Sequence, residues 1–334
     1  MLALQVCLDG YPSEGHAVAM NIQNPKLAGA PPDATPAGDK PFEPLDYGLY
    51  ALTMVGWSAS WFAIALQVGT VPNEVNIVWR FAIAAAIMFA WMLGSGRRWR
   101  FPPADHMRFA ALGVLLFSSN FLLFYYGAGY LVSGLLSVVF SLASVVNLLL
   151  GALVMGERPA MRTMVGAVVG FAGVALMFWP EIAAHGLSGG TLTGLLFCVA
   201  GTLSFCLGNS VSAAAQRRGL PLVSMNAWGM VYGTAWAALL AFLLGKPFIV
   251  ETTAAYLGSL LFLAVISTVL AFGAYLMLLG RIGGARAAYA TVTIPVFALL
   301  ISTVLEGYVW TAWAIAGLVF VAVGNVLVIR GARR

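Results

Sequence analysis

Residues 254–279 read AAYLGSLLFLAVISTVLAFGAYLMLL, an apolar stretch that contains no charged side chain. An α-helix rises about 1.5 Å per residue, so about 20 apolar residues are needed to cross the hydrocarbon layer of a bilayer. This stretch is long enough to do so. The sequence therefore predicts a membrane-spanning helix at this place.

Similar stretches recur along the chain and predict ten membrane-spanning helices. The composition agrees, because a chain that is 61% hydrophobic and only 9% charged differs from an ordinary soluble domain. We therefore expect an all-α integral membrane protein. The predicted spans are residues 47–69, 74–94, 108–128, 131–155, 161–179, 191–214, 222–244, 254–279, 284–305 and 309–330.

The basic residues fall almost entirely on alternate connections between these spans. Lys246 is alone on one side, and Arg80 lies inside a span. The positive-inside rule then places both termini in the cytoplasm, as an even number of spans requires. We expect a multi-pass protein of the bacterial cytoplasmic (inner) membrane. The predicted cytoplasmic residues are Lys26, Lys40, Arg97, Arg98, Arg100, Arg108, Arg158, Arg162, Arg217, Arg218, Arg281, Arg286, Arg330, Arg333 and Arg334.

Residues 1–46 are rich in Pro, Gly and Ala, and we predict a disordered cytoplasmic arm there. The arm lacks the long apolar core of a signal peptide, and Met20 is an alternative start of translation. Cys7, Cys198 and Cys206 suit neither a disulfide framework nor a zinc site, so we expect no metal and no cofactor. The net charge of +5 comes from loop arginines, and we expect no nucleic acid partner.

An internal duplication divides the chain into residues 47–180 and 190–330. The glutamates that follow the fourth and ninth predicted spans are 149 residues apart, and the glycines of the next spans are 151 apart. Each copy has an odd number of spans, so the second copy enters the membrane from the other face as an inverted repeat. The matching residues are Glu157, Gly166 and Gly173 in the first copy and Glu306, Gly317 and Gly324 in the second.

Several motifs resemble the drug/metabolite transporter superfamily, EamA type. In the first copy, Val146 stands where the second copy has Pro295. The resemblance covers residues 47–330 and is specific for the superfamily. It is carried by residues 56–58, 79–81 and 156–159 in the first copy and by residues 266–272, 281–288, 294–300 and Glu306 in the second.

The resemblance implies a ten-helix secondary transporter that works by alternating access. Within the superfamily we favour the YddG-like branch, which exports aromatic and other neutral amino acids. The partners implied are a small-molecule substrate and the lipid bilayer, with the protein a monomer. A multidrug exporter, or an exporter of other metabolites, is the alternative.

Polar residues at helical spacing indicate which helix faces line a cavity. In lipid, such side chains tend to face the bundle interior or a wet space. Packing of small residues, or hydrogen bonds back to the helix itself, is the alternative explanation. We assign to the cavity Asn120, Ser137, Ser141, Ser144, Asn209 and Thr293, with Ser133 and Asn147 on the same face as the serines.

Aromatic residues away from the span ends suit a cavity for amphipathic solutes, because each ring offers area and some offer one polar tip. Interhelical packing is the alternative for each ring. Pro295 is a predicted hinge, since it removes a backbone donor inside a helix. The predicted cavity therefore also contains Trp57, Ser60, Trp61, Trp79, Tyr232, Tyr275 and Tyr289.

Arg80 is the one charge that lies well inside a predicted span. A central arginine costs about 2.5–3.5 kcal/mol on insertion scales, so it should have a partner or face water. Its planar fork of donors suits a substrate carboxylate. The alternative is a structural bond to backbone carbonyls or to Glu74. We include Arg80 in the predicted cavity.

Other classes of function have weaker support. No Asp or Glu lies near the middle of a span, which disfavours a proton antiporter for cationic drugs, and no phosphate-binding loop for ATP is present. Residues 186–189 beside His185 resemble the motif of an intramembrane serine protease, but the predicted outer loop gives them no base from a second helix. We expect no enzyme activity. A passive channel is the remaining alternative.

Overall fold

The computed structural model describes residues 43–155, 161–185, 190–282 and 284–331. Every regular element within these ranges is helical, in agreement with the predicted all-α class. We label the helices α1 to α10 in chain order. Their bounds are Pro44–Ala65 (α1), Asn73–Gly94 (α2), Pro103–Ala128 (α3), Ser133–Ser141 with Ala143–Met155 (α4), Met161–His185 (α5), Gly190–Arg217 (α6), Leu222–Leu243 (α7), Ala254–Leu261 with Phe262–Ala271 and Phe272–Ile282 (α8), Gly284–Leu305 (α9) and Ala312–Gly331 (α10).

Seven of the described helices are long and apolar enough to cross a membrane, by length and composition. They are α1, α2, α3, α5, α6, α8 and α10. Helices α4 and α9 contain shorter apolar stretches, at Ser133–Asn147 and Val292–Leu305. Helix α7 is not among the seven, although it has 22 residues. The count of ten membrane-spanning helices therefore stays a prediction.

Helix α1 begins at Pro44 rather than at residue 47. Glu43 and Asp46 bond reciprocally across the first turn, with Glu43 N donating to Asp46 Oδ2 at 3.0 Å. Pro44 suits the first helical position, because the backbone donor that it lacks would have no partner there. The predicted arm over 1–46 therefore overlaps the first turn of α1, and residues 1–42 lie outside the described ranges.

Helices α5 and α10 cross in antiparallel directions through glycines. Gly166 lies against Gly324, and Gly173 lies against Gly317. A methyl group on Gly317 would stand 2.5 Å from the backbone oxygen of Gly173. Only glycine allows two helix backbones to approach so closely. The duplicated glycines found in the sequence thus form one helix crossing.

Other contacts also join the two halves of the chain. Helix α1 packs along α8, from Gly56 near its middle to Asp46 at its start, which bonds Arg281. Helix α6 packs along α3 in a similar way, through Gly201 and Gly208. Helix α2 contacts α7, and α4 contacts α9. The core of the bundle is therefore shared between the halves.

Three helices depart from regular α geometry. Helix α3 contains a π-helical segment over Leu115–Ser119, and α8 contains one over Phe262–Ala271. Helix α4 is interrupted at Leu142, whereas α9 continues through Pro295. Neither the π-helical segments nor the interruption in α4 was predicted from the amino acid sequence. Pro295 as a hinge stays a prediction.

One end of the bundle carries most of the described arginines. Helices α1, α3 and α7 begin there and α2, α6 and α8 end there, so it includes Arg98, Arg217 and Arg281. We call it the Arg-rich end. Trp228 Nε1 donates to the backbone oxygen of Trp99 at 3.0 Å and joins α7 to the α2–α3 connection at this end.

Candidate functional site

Trp61 lies in a cluster of aromatic rings between α1, α3, α4 and α6. The Trp61 ring centre is 5.0 Å from that of Phe124 and 5.3 Å from that of Phe140. Phe140 continues the cluster to Phe205 at 4.7 Å. Trp61 is only 7% exposed, so its ring is packed among neighbours in this structure. We call these four rings the aromatic cluster.

Trp57 lies one helical turn before Trp61 on the same face of α1. Its ring is half-buried and lies 5.1 Å from the ring of Tyr275 on α8. Its indole Nε1 donates to the backbone oxygen of Ser267, within the π-helical segment of α8, at 3.3 Å. Ser60 Oγ donates back to the Trp57 oxygen at 2.7 Å. The two half-buried rings form a partly open aromatic surface between the halves.

Arg80 is buried in the bundle, with 2% exposure, and does not pair with Glu74. Its Nε and Nη2 donate to Thr268 Oγ1 on α8, at 3.2 and 3.1 Å. The guanidinium carbon lies 4.2 Å from the ring centre of Phe121 and 5.2 Å from that of Phe81. Nη1 has no hydrogen-bond partner in the described part of the chain. One donor group of the guanidinium is thus buried and unused.

A polar network lies beside Arg80 at the end of the bundle opposite the Arg-rich end. Tyr125 stands close to Arg80, and its hydroxyl donates to Gln67 Oε1. Asn76 Nδ2 donates to the backbone oxygen of Gln67 at 3.0 Å, and Tyr256 donates to Asn76 Oδ1 at 2.7 Å. Gln67 Nε2 is buried without a partner among the described residues. The network fixes the α1–α2 connection against α3 and α8.

Glu74 is a buried carboxylate near the start of α2. It is 1% exposed, and Tyr126 donates to its Oε1. Glu74 is the first residue of the predicted span 74–94, and the structure also places it at a helix end, since α2 begins at Asn73. Burial of this side chain was not anticipated.

The predicted serine stripe on α4 bonds mainly to the protein itself. Ser137 Oγ donates to the Gly134 oxygen, and Ser141 Oγ donates to the Val138 oxygen, each at 2.6 Å. Ser144 donates to the side chain of Asn325 on α10. Hydrogen bonds back to the helix were the alternative considered for this stripe. The part of the stripe at Ser141 and Ser144 therefore packs towards α10 in this structure.

Three predicted cavity residues lie away from the aromatic cluster. Trp79 Nε1 donates to the backbone oxygen of Ile249 at 3.0 Å, next to the α7–α8 connection. Tyr232 shares a hydrogen bond of 3.0 Å with His106 near the Arg-rich end. Thr293 lies beside α1 and contacts Met54.

The remaining predicted residues give less information. Asn120 is buried on α3, and its Oδ1 has no partner in the described part of the chain. Asn209 is half-buried on α6. Tyr289 lies on α9, but its side chain is outside the described residues, and residues 186–189 are outside them altogether.

Several site residues were missed at the level of sequence. Phe residues are common in any apolar helix, so nothing marked Phe124 or Phe140 as neighbours of Trp61. Gln67 falls near a predicted span end, where polar residues are ordinary. Thr268 is one hydroxyl within a long apolar stretch. Only its position opposite Arg80 distinguishes it.

Carboxylates join neighbouring helices at both ends of the bundle. At the Arg-rich end, Arg281 donates to Asp46 of α1 and to Glu43 just before it, and the hydrogen bond accepted by Asp46 raises the pKa of the Arg281 guanidinium. At the other end, Glu306 accepts from the backbone and hydroxyl of Ser133, at the start of α4. These contacts join α8 to α1 and α9 to α4.

A shallow groove on the side of the bundle lies between α2 and α7 and has an almost wholly apolar lining. None of the predicted cavity residues lines it. Among the described residues, no cluster of His, Cys, Asp or Glu has the makeup of a metal site. The groove residues are Ala82, Ala85, Ala86, Phe89, Val231 and Thr234.

Apolar helices with polar and aromatic side chains between them are typical of multi-pass membrane proteins. The model of the EamA-like transporter family matches residues 47–179 and 192–330. The chain belongs to this family, which is part of the drug/metabolite transporter superfamily. The resemblance found in the sequence is confirmed, and the family acts on small-molecule substrates in the membrane.

Named relatives agree with this assignment. An uncharacterized transporter of Archaeoglobus fulgidus is 26% identical over 84% of this chain and 97% of its own length. A "Probable amino-acid metabolite efflux pump" of Salmonella typhimurium is 26% identical over 60% of this chain and 69% of its own. A solved crystal structure shares the fold, with a TM-score of 0.62 and 17% identity over 86% of this chain and 98% of that one.

Proposed function

We propose that this chain is a secondary carrier that exports amino acids, aromatic and other neutral ones, or similar small amphipathic metabolites, by alternating access. It works as a monomer in the bacterial cytoplasmic membrane and has no catalytic role. Its substrate lies between the halves, residues 47–180 and 190–330. Ten helices cross the membrane, and both termini face the cytoplasm.

Antiparallel packing of equivalent helices supports the inverted repeat. Helices α5 and α10 occupy the same place in the two halves, and they cross with Gly166 near Gly324 and Gly173 near Gly317. Helices that pair in opposite directions across a shared core are what an inverted repeat requires. The alternation of helix ends also gathers arginines at one end, which the positive-inside rule assigns to the cytoplasm.

The proposal depends on one observation above all, the combination of aromatic surface and buried cation between the halves. Trp57 and Tyr275 face each other across α1 and α8, and Arg80 bonds Thr268 of the same helix α8. An apolar site with few polar groups holds an amphipathic solute by area and orients it by its polar end. Neutral amino acids, which combine a side chain with a carboxylate, fit this combination.

The printed name of one relative points the same way. The Salmonella protein is called a "Probable amino-acid metabolite efflux pump", and it aligns with 60% of this chain. We extend that substrate class to this chain because the aromatic and cationic groups between its halves suit it.

Uptake of labelled amino acids into liposomes that contain the purified protein tests the proposal. We expect saturable uptake, accelerated by preloaded unlabelled substrate and blocked by neutral amino acids but not by nucleosides or cationic drugs. A pore would give no acceleration by preloading. Absence of amino acid uptake, with competition by other solutes only, would contradict the proposed substrate class.

A matched pair of variants tests the site. Trp57→Ala removes a half-buried ring between the halves, whereas Trp313→Ala removes an exposed ring on α10. Loss of ring contacts worth about 0.5–1.5 kcal/mol should raise KM about 2-fold to 10-fold for Trp57→Ala. Trp313→Ala should leave KM unchanged. Equal KM values for the two variants would contradict a substrate site at Trp57.

Export of cationic amphiphiles is the second candidate, and Glu74 is the observation that favours it. A buried carboxylate can bind a cation, and Glu74 is 1% exposed. Its place at the start of α2, rather than midway along it, makes this candidate weaker. Glu74→Gln would abolish uptake of a labelled cationic drug if the second candidate were right, and would leave amino acid uptake measurable under the first.

A further inference from the structure

Arg80 carries a buried positive charge that no described carboxylate neutralises. The ion pairs among the described residues join Arg108 with Asp105 and Arg281 with Asp46 and Glu43, and none includes Arg80. Glu74, on the same helix, is held by Tyr126. Buried charges are normally paired, because burying an isolated charge is costly. A negative group from outside the chain would complete this site.

Unused donors of two side chains lie in the same neighbourhood. Arg80 Nη1 and Gln67 Nε2 are both buried, and neither has a hydrogen-bond partner in the described ranges. Tyr125 connects them, since its hydroxyl donates to Gln67 Oε1 and stands close to the guanidinium. Each of the two side chains is 2% exposed. Neighbouring N–H groups of this kind need an acceptor, and buried polar groups seldom lack one.

The surroundings leave one edge of the guanidinium for that acceptor. Thr268 Oγ1 accepts from Nε and Nη2, and Phe121 lies 4.2 Å from the guanidinium carbon, measured to the ring centre. Tyr125 also stands close to the guanidinium, but the remaining group, Nη1, has no hydrogen-bond partner among the described residues. A guanidinium binds carboxylates strongly through such planar N–H groups.

We infer that the unpartnered donors of Arg80 and Gln67 bind a small monovalent anion. The anion is either the carboxylate of an organic solute or a free halide such as chloride, since both accept hydrogen bonds and carry one charge. The organic source deepens the proposed function, on which it rests, by naming the carboxylate as the group that anchors the substrate. The site itself does not require that function to be right.

Thermal protection of the purified full-length protein in neutral detergent tests the site without any transport assay. Sodium benzoate, sodium chloride and uncharged benzamide are each titrated, and the folded fraction after heating is read by size-exclusion chromatography. Benzamide has nearly the shape of benzoate but no charge. A ligand that binds only the folded state raises its melting temperature in a saturable way.

We expect saturable protection by benzoate and none by benzamide. Gln67→Leu and Arg80→Gln should each weaken the apparent affinity for the anion about tenfold or more, because each removes a donor. Lys246→Gln, at an exposed basic residue, should retain it. If Arg80→Gln does not fold, Gln67→Leu decides the question, since it adds no charge and removes none.

The source of the anion follows from competition. If benzoate protects the protein and chloride does not displace it, the site is assigned to organic carboxylates. If chloride itself protects the protein and competes with benzoate, the site is assigned to halides. No saturable protection by either anion, or unchanged affinity in Gln67→Leu, would overturn the inference. If the protein binds benzoate but transports no amino acid, the anion site stands and the proposed substrate class is refuted. If it transports amino acids but binds neither benzoate nor chloride, only the anion site is refuted.

Discussion

Replacement of Gly324 by alanine should separate the helices that hold the two halves together. The added methyl group would stand 2.5 Å from Gly170 N and 2.7 Å from the Gly166 oxygen. Carbon atoms pack at about 3.5–4.0 Å, so α5 and α10 must move apart by about 1 Å. Both neighbouring atoms belong to the backbone and cannot rotate away. Overpacking of this kind costs about 1–3 kcal/mol, and loosening of the whole crossing adds to it.

Gly258→Ala is the matched control for this change. Gly258 is also helical, on α8, and a methyl group built there meets no atom within 4 Å. Both variants gain the same helix propensity, so the difference in stability between them measures the effect of the close helix contact. The assay is the thermal midpoint of the purified protein in detergent, where about 2–4 °C is expected per kcal/mol. A Gly324→Ala protein as stable as Gly258→Ala would refute the argument from helix contact.

Three further predictions concern other contacts of the bundle. Glu306→Ala leaves the buried donors of Ser133 without an acceptor and should lower the free energy of unfolding by about 1–3 kcal/mol, measured by thermal unfolding; an unchanged midpoint would show that water replaces the carboxylate. Asp46→Asn and Arg281→Gln should couple by only about 0.5–1 kcal/mol in a double-mutant cycle, because the arginine is partly exposed, and strictly additive effects would mean that the ion pair contributes nothing. Trp61→Ala should lower the free energy of unfolding by about 3–5 kcal/mol as well as impair transport, whereas transport loss at full stability would mean that the ring contacts solute rather than its aromatic neighbours.

Much of the architecture was predictable from local pattern. Apolar stretches of sufficient length predicted the helices, and several observed bounds agree closely with the prediction. The predicted span 284–305, for example, matches helix α9 at Gly284–Leu305. The start of α1 at Pro44 was missed, because capping by Glu43 and Asp46 involves polar residues that hydropathy alone assigns to a loop. The π-helical segment Phe262–Ala271 was also missed, since no residue type is specific for that geometry.

The candidate site was less predictable than the helices. Trp57, Trp61 and Arg80 were assigned to the cavity because large rings and charges are conspicuous in an apolar span, and this assignment stays a prediction. The serines of α4 were assigned to it by their helical spacing, and in the structure Ser137 and Ser141 bond back to their own helix. A polar stripe fixes a face of a helix, but a hydroxyl can satisfy itself locally, so the stripe does not determine what that face meets.

The membrane environment could be predicted from the amino acid sequence, because hydrocarbon thickness and backbone hydrogen bonding leave few choices to an apolar chain. Its motifs indicated the family, and its one charge inside a span marked Arg80 as exceptional. Helix packing, in contrast, brings Arg80 to Thr268 rather than to Glu74 and places Gln67 nearby with a second unused donor. Those pairings join residues far apart in the chain, and helix packing rather than local periodicity sets which side chains meet.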